Sequence, residues 1–441
     1  MMCMGAVPDA GSASNQHGDA PMHERNIFKQ LLGWKDVAVR SASFDKEGIV
    51  LDLRPRYPRP QCSGCLRGVS KVYDRLAART WRHLDVGGMA LRLRYGLRRV
   101  ACPRCGVVVE TVPWADKSAW HTRDFEDATA HLAQRCDKTM VAELMRIGWR
   151  TVGSIIKRVV ARRQDADLLA GLTHIGVDEL SYRRHHEYVT VVFDHVHGRV
   201  VWAAPGKSAE TLKQFFRELG PERRAAIKLV TADMSAAYTK AIKEAVPQAT
   251  IAYDRFHVQR LAHDALDAVR RAEIREAGGA AAAPELKRLR WALHKNPWNL
   301  TLAQDEKLSD LPRINERIYR AYLLKESLAA ALDGRQHNVA RQRLLEWVAW
   351  ATESQLMPFK KLAATIMDHL EGILAYVRTG MTNAAVEGMN GKIRTITRRS
   401  YGFHNVNNLI AMVFLCCSGL ILLPVFKYPS KCVNSRRASH I

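Results

Sequence analysis

The stretch TNAAVEGMNGKIRTITRRSYGF, residues 382–403, decides how the rest of this chain is interpreted. It predicts a helix, because Asn383 is a candidate N-cap and apolar residues recur at helical intervals. These core-facing candidates are Ala384, Val386, Met389, Ile393 and Ile396. Glu387 lies near the start of the helix, among groups suited to phosphate: Asn390, Lys392, Arg394, Arg398 and Arg399. Because residues 387, 390 and 394 share a helix face, an acid, an amide and a guanidinium would meet one ligand. Taken alone, the stretch also fits a solvated basic helix.

The composition predicts a multidomain protein that binds nucleic acid. The 441 residues suffice for two to four domains, and a net charge of +23, spread along the chain, favours a polyanionic partner. We expect residues 1–25 to be disordered and residues 427–441 to form a basic tail. The N-terminal residues lack the pattern of a secretory signal, so we expect a cytoplasmic, nucleoid-associated protein.

The cysteines indicate a metal site in a reducing compartment. Four of the nine form two CxxC pairs, Cys62 with Cys65 and Cys102 with Cys105, which can close a tetrahedral structural Zn²⁺ site. The 36 residues between the pairs exceed the usual finger spacing, and a zinc ribbon with an inserted hairpin accommodates them. Gly64 and Gly106 are expected to give each turn its backbone freedom. The remaining cysteines lack such spacing and are expected in the core or tail: Cys3, Cys136, Cys416, Cys417 and Cys432.

Three helices are predicted next, over 125–135, 139–147 and 151–163. The last two, joined by Gly148 and Trp149, have the outline of a helix-turn-helix, whose second helix enters the major groove of DNA. The residues expected to face DNA are Ser154, Lys157, Arg158 and Arg162, and those expected to pack inward are Val152, Ile155, Ile156 and Val159. Any pair of short antiparallel helices gives a similar pattern.

Residues 173–258 then predict three strands followed by alternating helices and strands, which indicates a mixed α/β sheet with helices on its faces. Asp178 would end the first strand and Asp233 would follow the fourth, so both carboxylates would converge at one edge of the sheet. The fifth predicted strand, TIAYDRFHV (250–258), ends in a polar cluster that includes Asp254 and His257. They are candidates for positioning metal ligands or a phosphate, while an N-cap and a core histidine fit equally well.

The pattern from 261 to 376 is helical throughout, with four tryptophans as expected packing anchors: Trp291, Trp298, Trp347 and Trp350. Residues 409–426 form an apolar run broken by Ser418 and Gly419, which raises the possibility of a membrane helix. We favour a core element, because the run contains Pro424 and directly follows a basic helix.

Asp178, Asp233 and Glu387 can together hold divalent metal ions, because hard cations take carboxylate oxygens. Paired metals activate the attacking oxygen and stabilise the leaving oxygen when a phosphodiester is cut or joined. The acids are separated by 55 and 154 residues, so the fold must return the last helix beside the first strand. Glu179 and Asp254 are competing acids.

The order of these motifs resembles DDE transposases of bacterial insertion sequences, and most closely the ISL3 family. The resemblance runs from about Asn26 to Leu423 and includes the motifs IGVDE (175–179), VTADM (230–234), DRFH (254–257), VEGMN (386–390) and YGF (401–403). It implies that Asp178, Asp233 and Glu387 are the catalytic triad, with Mg²⁺ or Mn²⁺, on an RNase H-like fold. Its implied partners are the terminal inverted repeats of the element and target DNA, bound by a homodimer or larger assembly.

The fold class expected is therefore multidomain α+β, with an RNase H-like α/β domain interrupted by an all-α insertion. The expected segments are a zinc ribbon (26–115), a helix-turn-helix (120–165), the catalytic domain (170–260 and 377–426) and the helical insertion (261–376). One alternative is a DNA-binding regulator descended from a transposase with an inert catalytic domain, against which the intact acid triad argues. A membrane-associated basic protein anchored by residues 409–426 ranks last.

Overall fold

The computed structural model describes residues 24–164, 167–183, 187–279, 281, 283–334, 336–379 and 384–422. The candidate N-cap Asn383, Cys3, Cys432 and the predicted basic tail lie outside the described residues. So does most of the N-terminal segment expected to be disordered. The described residues form two compact units, one of residues 24–131 with residue 422 and one of residues between 132 and 421.

The first unit contains two sheets. A four-stranded sheet has the order β1-β2-β5-β4, and a three-stranded sheet has the order β3-β6-β7. The elements are α1 (Glu24–Leu32), β1 (Val37–Asp45), β2 (Gly48–Pro55), β3 (Val72–Arg75), β4 (Arg79–Val86), β5 (Met89–Tyr95), β6 (Arg98–Cys102) and β7 (Gly106–Val109). Cys102 ends β6 of the smaller sheet and Cys105 lies in the turn that follows, while Cys62 and Cys65 come before β3 and cluster with them. Strands β4 and β5, which lie between the two CxxC pairs in sequence, join β1 and β2 in the larger sheet.

Strand β5 has the two faces that its alternating sequence predicts. Leu91, Leu93 and Tyr95 are buried, whereas the arginines between them point to the other face. That face is not a free cationic surface, because Arg94 is paired with Asp52 at 2.6 Å and Arg92 with acids on the β1–β2 hairpin.

The second unit begins with the last turn of α2 (Arg123–Ala133), followed by α3 (Lys138–Met145) and α4 (Trp149–Arg163). A mixed five-stranded sheet of order β10-β9-β8-β11-β12 comes next. Its elements are β8 (His174–Arg183), β9 (Glu187–Asp194), β10 (Arg199–Pro205), α5 (Ala209–Leu219), α6 (Pro221–Ala225), β11 (Leu229–Ala232), α7 (Ala236–Ala245) and β12 (Thr250–Tyr253). Strands β8, β11 and β12 are parallel to one another, and β9 is antiparallel to both of its neighbours.

The described residues from 255 to 379 form helices and no strand. They are α8 (Arg255–Glu276), α9 (Pro284–Arg288), α10 (Arg290–His294), a 3₁₀ helix (Pro297–Asn299), α11 (Leu302–Ser309), α12 (Leu311–Ile314), α13 (Glu316–Leu332), α14 (His337–Glu353), α15 (Met357–Asp368) and α16 (Leu370–Thr379). Of the four tryptophans expected to anchor their packing, only Trp347 is buried; the expectation is wrong for Trp291, Trp298 and Trp350, which are exposed. The small residues Ala321, Ala331 and Ala340, together with many leucines, form this core instead.

Two helices close the second unit, α17 (Ala384–Arg399) and α18 (Val406–Cys417). Helix α17 packs on β8, and α18 packs on α17, α4 and β10. Three of the five residues expected in the core, Val386, Ile393 and Ile396, are buried, Met389 is half-buried, and the side chain of Ala384 lies outside the description.

The apolar run that raised the possibility of a membrane helix starts within α18. That helix has 12 residues and ends at Cys417, and its buried side chains include Leu409, Val413 and Leu415. Within the described parts of the chain, no helix combines the length and hydropathy needed to cross a bilayer.

Helix α17 can pack closely on β8 because residue 176 is a glycine. A Cβ atom at this position would lie 2.6 Å from Val386 Cγ2 and 2.9 Å from His195 Nε2, which is closer than packed atoms can approach. The missing side chain therefore makes room for α17 against the central strand of the sheet.

We predict that Gly176→Ala lowers the free energy of unfolding by about 1–3 kcal/mol, because the added methyl group overpacks this contact. The matched control is Gly391→Ala in α17, where an added Cβ meets nothing within 4 Å. It should be neutral or stabilising by up to about 1 kcal/mol. Denaturant unfolding of both variants measures the difference, and equal stabilities would contradict the tight seat of α17.

Candidate active site

The four CxxC cysteines converge in the first unit. The ligand atoms of Cys62, Cys65, Cys102 and Cys105 all lie within 4.8 Å of one another. Hydrogen bonds, the strongest from the backbone N–H of Cys65, lower the pKa of Cys62 to about 7. Burial, together with the neighbouring cysteine sulfurs, raises the pKa of Cys105 to about 12. This crowded set of thiols is the donor chemistry that a tetrahedral metal site requires.

The two glycines of the cysteine turns act differently from each other. Gly106 has a φ of 73°, in the left-handed region that glycine adopts easily, so the expectation of backbone freedom is confirmed for this turn. Gly64 is needed for space, because an added Cβ would lie 2.9 Å from Cys105 Sγ. The positive φ in the first turn belongs to Leu66 instead.

Strand register aligns three aspartates in the second unit. In the parallel pair of β8 and β11, Leu229 lies opposite His174 and Thr231 opposite Gly176. Two residues further along both segments, the same register aligns Asp233 with Asp178. The pairing of β11 with β12 ends at Ala232 and Tyr253, which sets Asp254 level with Asp233. Asp178 therefore lies within β8 and not at its end as expected, but it does lie just beyond the last paired residue of the parallel ladder.

Helix α17 covers the sheet face that carries these aspartates. Successive side chains of a strand point to opposite faces, so Asp178 shares its face with Gly176, on which Val386 is seated. Glu387 follows Val386 directly and is solvent-exposed. The return of the chain over more than 200 residues thus brings Glu387 to the acids on the sheet.

Glu179, the competing acid, points to the opposite face. Its carboxylate is hydrogen-bonded to the hydroxyl group of Tyr238 in α7. The Tyr238 hydroxyl also lies 2.9 Å from Thr190 Oγ1. Burial raises the pKa of Glu179, and the charge of Asp233 adds to the effect. Glu179 is therefore tied to the α7 side of the sheet, away from Glu387.

Asp178 is held by two donors. The backbone N–H of Glu179 donates to one carboxylate oxygen at 2.7 Å, and the side-chain amide of Asn390 donates to the other. Asn390 is only 4% exposed, so the expectation that it binds DNA does not fit its position. The sequence carried a signal for this role: position 390 falls in the buried row 386, 390, 393, 396, where a polar side chain requires a buried partner.

The acids influence each other's protonation. Burial raises the pKa of Asp178, and Asp233 raises it further. Glu387 is exposed, but partial desolvation of its carboxyl raises its pKa, and the charges of Asp254 and Asp178 add to the effect. His257 acts in the opposite direction on both carboxyls. Carboxylates so arranged favour a bound cation, which would relieve their mutual repulsion.

These acids are not drawn together as tightly as the cysteines. Among the described residues, only the four cysteines bring three or more potential ligand atoms within 4.8 Å of one another. A looser group is compatible with a pair of ions, which in enzymes are about 3.5–4 Å apart and take ligands on both sides.

Asp254 and His257 begin the helical region. Asp254 is the N-cap of α8, accepting a hydrogen bond from the Phe256 N–H at 3.1 Å, so the predicted fifth strand ends before it. His257 lies in the first turn of α8, and its Nδ1 is buried without a hydrogen-bond partner among the described residues. Both belong to the acid cluster through the pKa effects above.

The cations of α17 divide into two groups. Arg394 and Arg398 are exposed and line a cleft of about 260 Å³ between α17, α18 and strands β8 and β9. Arg399 instead donates to the carbonyl of Ala133 at 2.9 Å, at the end of α2. The ammonium of Lys392 donates to the carbonyl of Cys416 at 2.6 Å. The latter two thus join α17 to neighbouring helices.

Helices α3 and α4 form the predicted helix-turn-helix. All four inward residues of α4 are buried, as expected: Val152, Ile155, Ile156 and Val159. Of the residues expected to face DNA, Ser154 and Lys157 are exposed, whereas Arg158 and Arg162 are half-buried and have partners within the protein.

Two protein-family models match the chain. A family model described as "Transposase", of the ISL3 DDE type, matches residues 175–413. A second, described as "Helix-turn-helix domain of transposase family ISL3", matches residues 110–160.

Named relatives match nearly the whole chain. The transposase for insertion sequence element IS1557 from two strains of Mycobacterium tuberculosis is 40% identical over 430 residues, covering 90% of this chain and 96% of the relative. The transposase for insertion sequence element IS1001 from Bordetella parapertussis is 29% identical over 397 residues, covering 87% and 96%.

The matches and the helix-turn-helix define this chain as a DDE-type transposase with a DNA-binding domain. More particularly, it belongs to the ISL3 family of insertion-sequence transposases. The alternative of a non-catalytic regulator is not favoured, because the relatives that match at full length are named as transposases.

We predict that Asn390→Ala lowers the free energy of unfolding by about 1–3 kcal/mol, because it leaves an oxygen of the half-buried Asp178 carboxylate without its donor. Thr395→Ala, at an exposed position of the same helix, is the control and should change stability by less than about 0.5 kcal/mol. Chemical denaturation compares the two, and a neutral Asn390→Ala would show that the amide does not support Asp178.

Proposed function

We propose that the protein binds the terminal inverted repeats of its own insertion sequence, cleaves the DNA strand there and joins the freed 3′-hydroxyl to target DNA. The proposed catalytic triad is Asp178, Asp233 and Glu387. The observation that carries this proposal is the alignment of Asp178 in β8 with Asp233, just beyond the parallel strand β11. The helix that carries Glu387 covers them, and its Val386 packs against Gly176.

The five-stranded sheet is, in this proposal, an RNase H-like catalytic core. Three antiparallel strands followed by two parallel ones, with helices on both faces, fit that fold. The helices between Asp254 and α17 would be an all-α insertion, which separates Glu387 from the aspartates in sequence but not in space. The segments expected from the sequence, 170–260, 261–376 and 377–426, remain our proposed division.

The proposed metal is Mg²⁺ or Mn²⁺, held by Asp178, Asp233 and Glu387. The donor set fits, since hard cations prefer carboxylate oxygens and the pKa values of Asp178 and Glu387 are raised by desolvation and neighbouring acids. When bound, such ions activate an attacking oxygen and stabilise the leaving oxygen at phosphorus.

The remaining residues of the site would position the reacting groups. Asn390 and the Glu179 N–H fix both oxygens of Asp178, and the Ser235 N–H holds Asp233 at 3.1 Å. Arg394 and Arg398 would hold the DNA backbone in their cleft. Asp254 and His257 would orient the acid cluster or a phosphate.

DNA recognition is assigned to α4 and the first unit. Ser154 and Lys157 are the contacts that the exposed face of α4 supports best, with Arg158 and Arg162 contributing from its sides. The four cysteines would hold one structural Zn²⁺ in a zinc ribbon. Because two element ends must be brought together, a homodimer or larger assembly is expected, acting in the cytoplasm on the nucleoid.

We predict that Glu387→Gln abolishes cleavage and joining while binding to the element ends persists, because the amide keeps the size of the side chain but not its charge. Asp178→Asn and Asp233→Asn should behave in the same way, and double variants should add little. Strand-cleavage assays with Mg²⁺ on an oligonucleotide of the element end provide the measurement.

Asp254→Asn discriminates between rival triads. It should leave measurable cleavage, because Asp254 is an N-cap in this assignment. If it abolishes cleavage while Asp233→Asn does not, the second metal ligand is Asp254.

We predict that Lys157→Ala weakens binding to element ends and reduces by about one the slope of log affinity against log salt concentration, since one fewer counterion is released. Lys240→Ala, an exposed lysine of α7, is the charge-matched control. An unchanged slope for Lys157→Ala would assign recognition to another surface.

We predict about one zinc per purified chain, lost in the double variant Cys62→Ser, Cys102→Ser. Metal analysis by mass spectrometry provides the measurement. Zinc retained at full stoichiometry in that variant would rule out the cysteine site.

A further inference from the structure

The helical region displays two tryptophans that its own core does not use. Trp291 in α10 is 69% exposed, and Trp298 in the following 3₁₀ helix is 76% exposed. Trp347, in the same region, is buried and donates its indole N–H to the Leu324 carbonyl at 2.8 Å. Two large aromatic side chains left exposed within eight residues of the chain are candidates for contact with a partner.

The segment carrying them is firmly anchored. Leu286, Leu289 and Leu293 are buried on its inner side. The buried ammonium of Lys325 donates to the Leu293 carbonyl at 3.0 Å and the Lys295 carbonyl at 3.4 Å, closing the end of α10. Burying a charged group is costly, so these bonds fix the backbone that presents both tryptophans.

The charge around the tryptophans fits a polyanion. Lys287, Arg288 and Arg290 are exposed, and none has an ion-pair partner within the described residues. The guanidinium of Arg290 lies 5.2 Å from the Trp291 ring centroid. Exposed aromatic faces next to unpaired cations are the arrangement with which proteins bind single-stranded nucleic acid.

We propose that Trp291 and Trp298 form a platform on which unpaired bases of the DNA substrate stack, with Lys287, Arg288 and Arg290 contacting the adjoining phosphates. Duplex DNA cannot use the platform, because its bases are already stacked on one another. The inference rests on the proposed function for the origin of the unpaired strand, which strand cleavage at an element end would expose. Binding itself requires no catalysis.

The experiment measures binding of fluorescein-labelled dT12 and of a labelled 12-base-pair duplex to the full-length protein without added divalent metal. The double variant Trp291→Ala, Trp298→Ala should bind dT12 at least tenfold more weakly and the duplex within twofold of the unmodified protein. Replacing both tryptophans with Phe should restore dT12 binding to within about threefold, since an aromatic face remains. Trp350→Ala, an exposed tryptophan of α14, is the matched control and should change neither affinity.

Three results would overturn the inference. These are unchanged dT12 binding by the Ala double variant, an equal loss for both probes, and conversion of a sedimenting dimer to a monomer, which would make the tryptophans a contact between copies. Thermal unfolding verifies that each variant is folded. Failure of the proposed function would appear separately, as cleavage that survives Glu387→Gln.

Discussion

The contact between Val386 and Gly176 is the constraint on which the rest of the second unit depends. A glycine on the central strand lets a helix from the far end of the chain lie against the sheet, and the residue after Val386 is the glutamate that joins the aspartates. Because α18 packs on α17, α4 and β10, the same contact also joins α4, the helix proposed to read DNA, to the sheet. A change of side chain at position 176 therefore disturbs the proposed site and its link to recognition together.

The proposed site is built from groups that oppose one another electrostatically. Burial and the charge of Asp233 raise the pKa of Asp178, and partial desolvation with the charges of Asp254 and Asp178 raises that of Glu387. An amide, a backbone N–H group and a histidine offset these effects at Asp178. Asn390 is the most specific of these, since it takes a buried position in an otherwise apolar row. Such an arrangement costs folding stability and fits a site made for a cation.

Much of this could be predicted from the sequence, because it depends on local pattern. The CxxC spacing, the strand alternation, the inward residues of α4 and the candidate acids are all visible as residue types at fixed intervals. The register of β8, β11 and β12 could not be predicted, because pairing between strands is a long-range property. Only the structure aligns Asp254 with Asp233. The exposure of Trp291 and Trp298 was equally hidden, since composition predicts large aromatic residues inside. The role of Asn390 was missed because its residue type fits phosphate binding as well as a buried hydrogen bond.

We propose that Asp178 of β8, Asp233 just beyond β11 and Glu387 of α17 form one metal site. Crystals of the full-length protein soaked in Mn²⁺ test it directly through anomalous scattering. We expect manganese bound to carboxylate oxygens of Asp178 together with those of Asp233 or Glu387, and loss of that signal in Glu387→Gln or Asp178→Asn. Manganese held by Asp254 or Glu179, with Asp233 and Glu387 both unliganded, would contradict it.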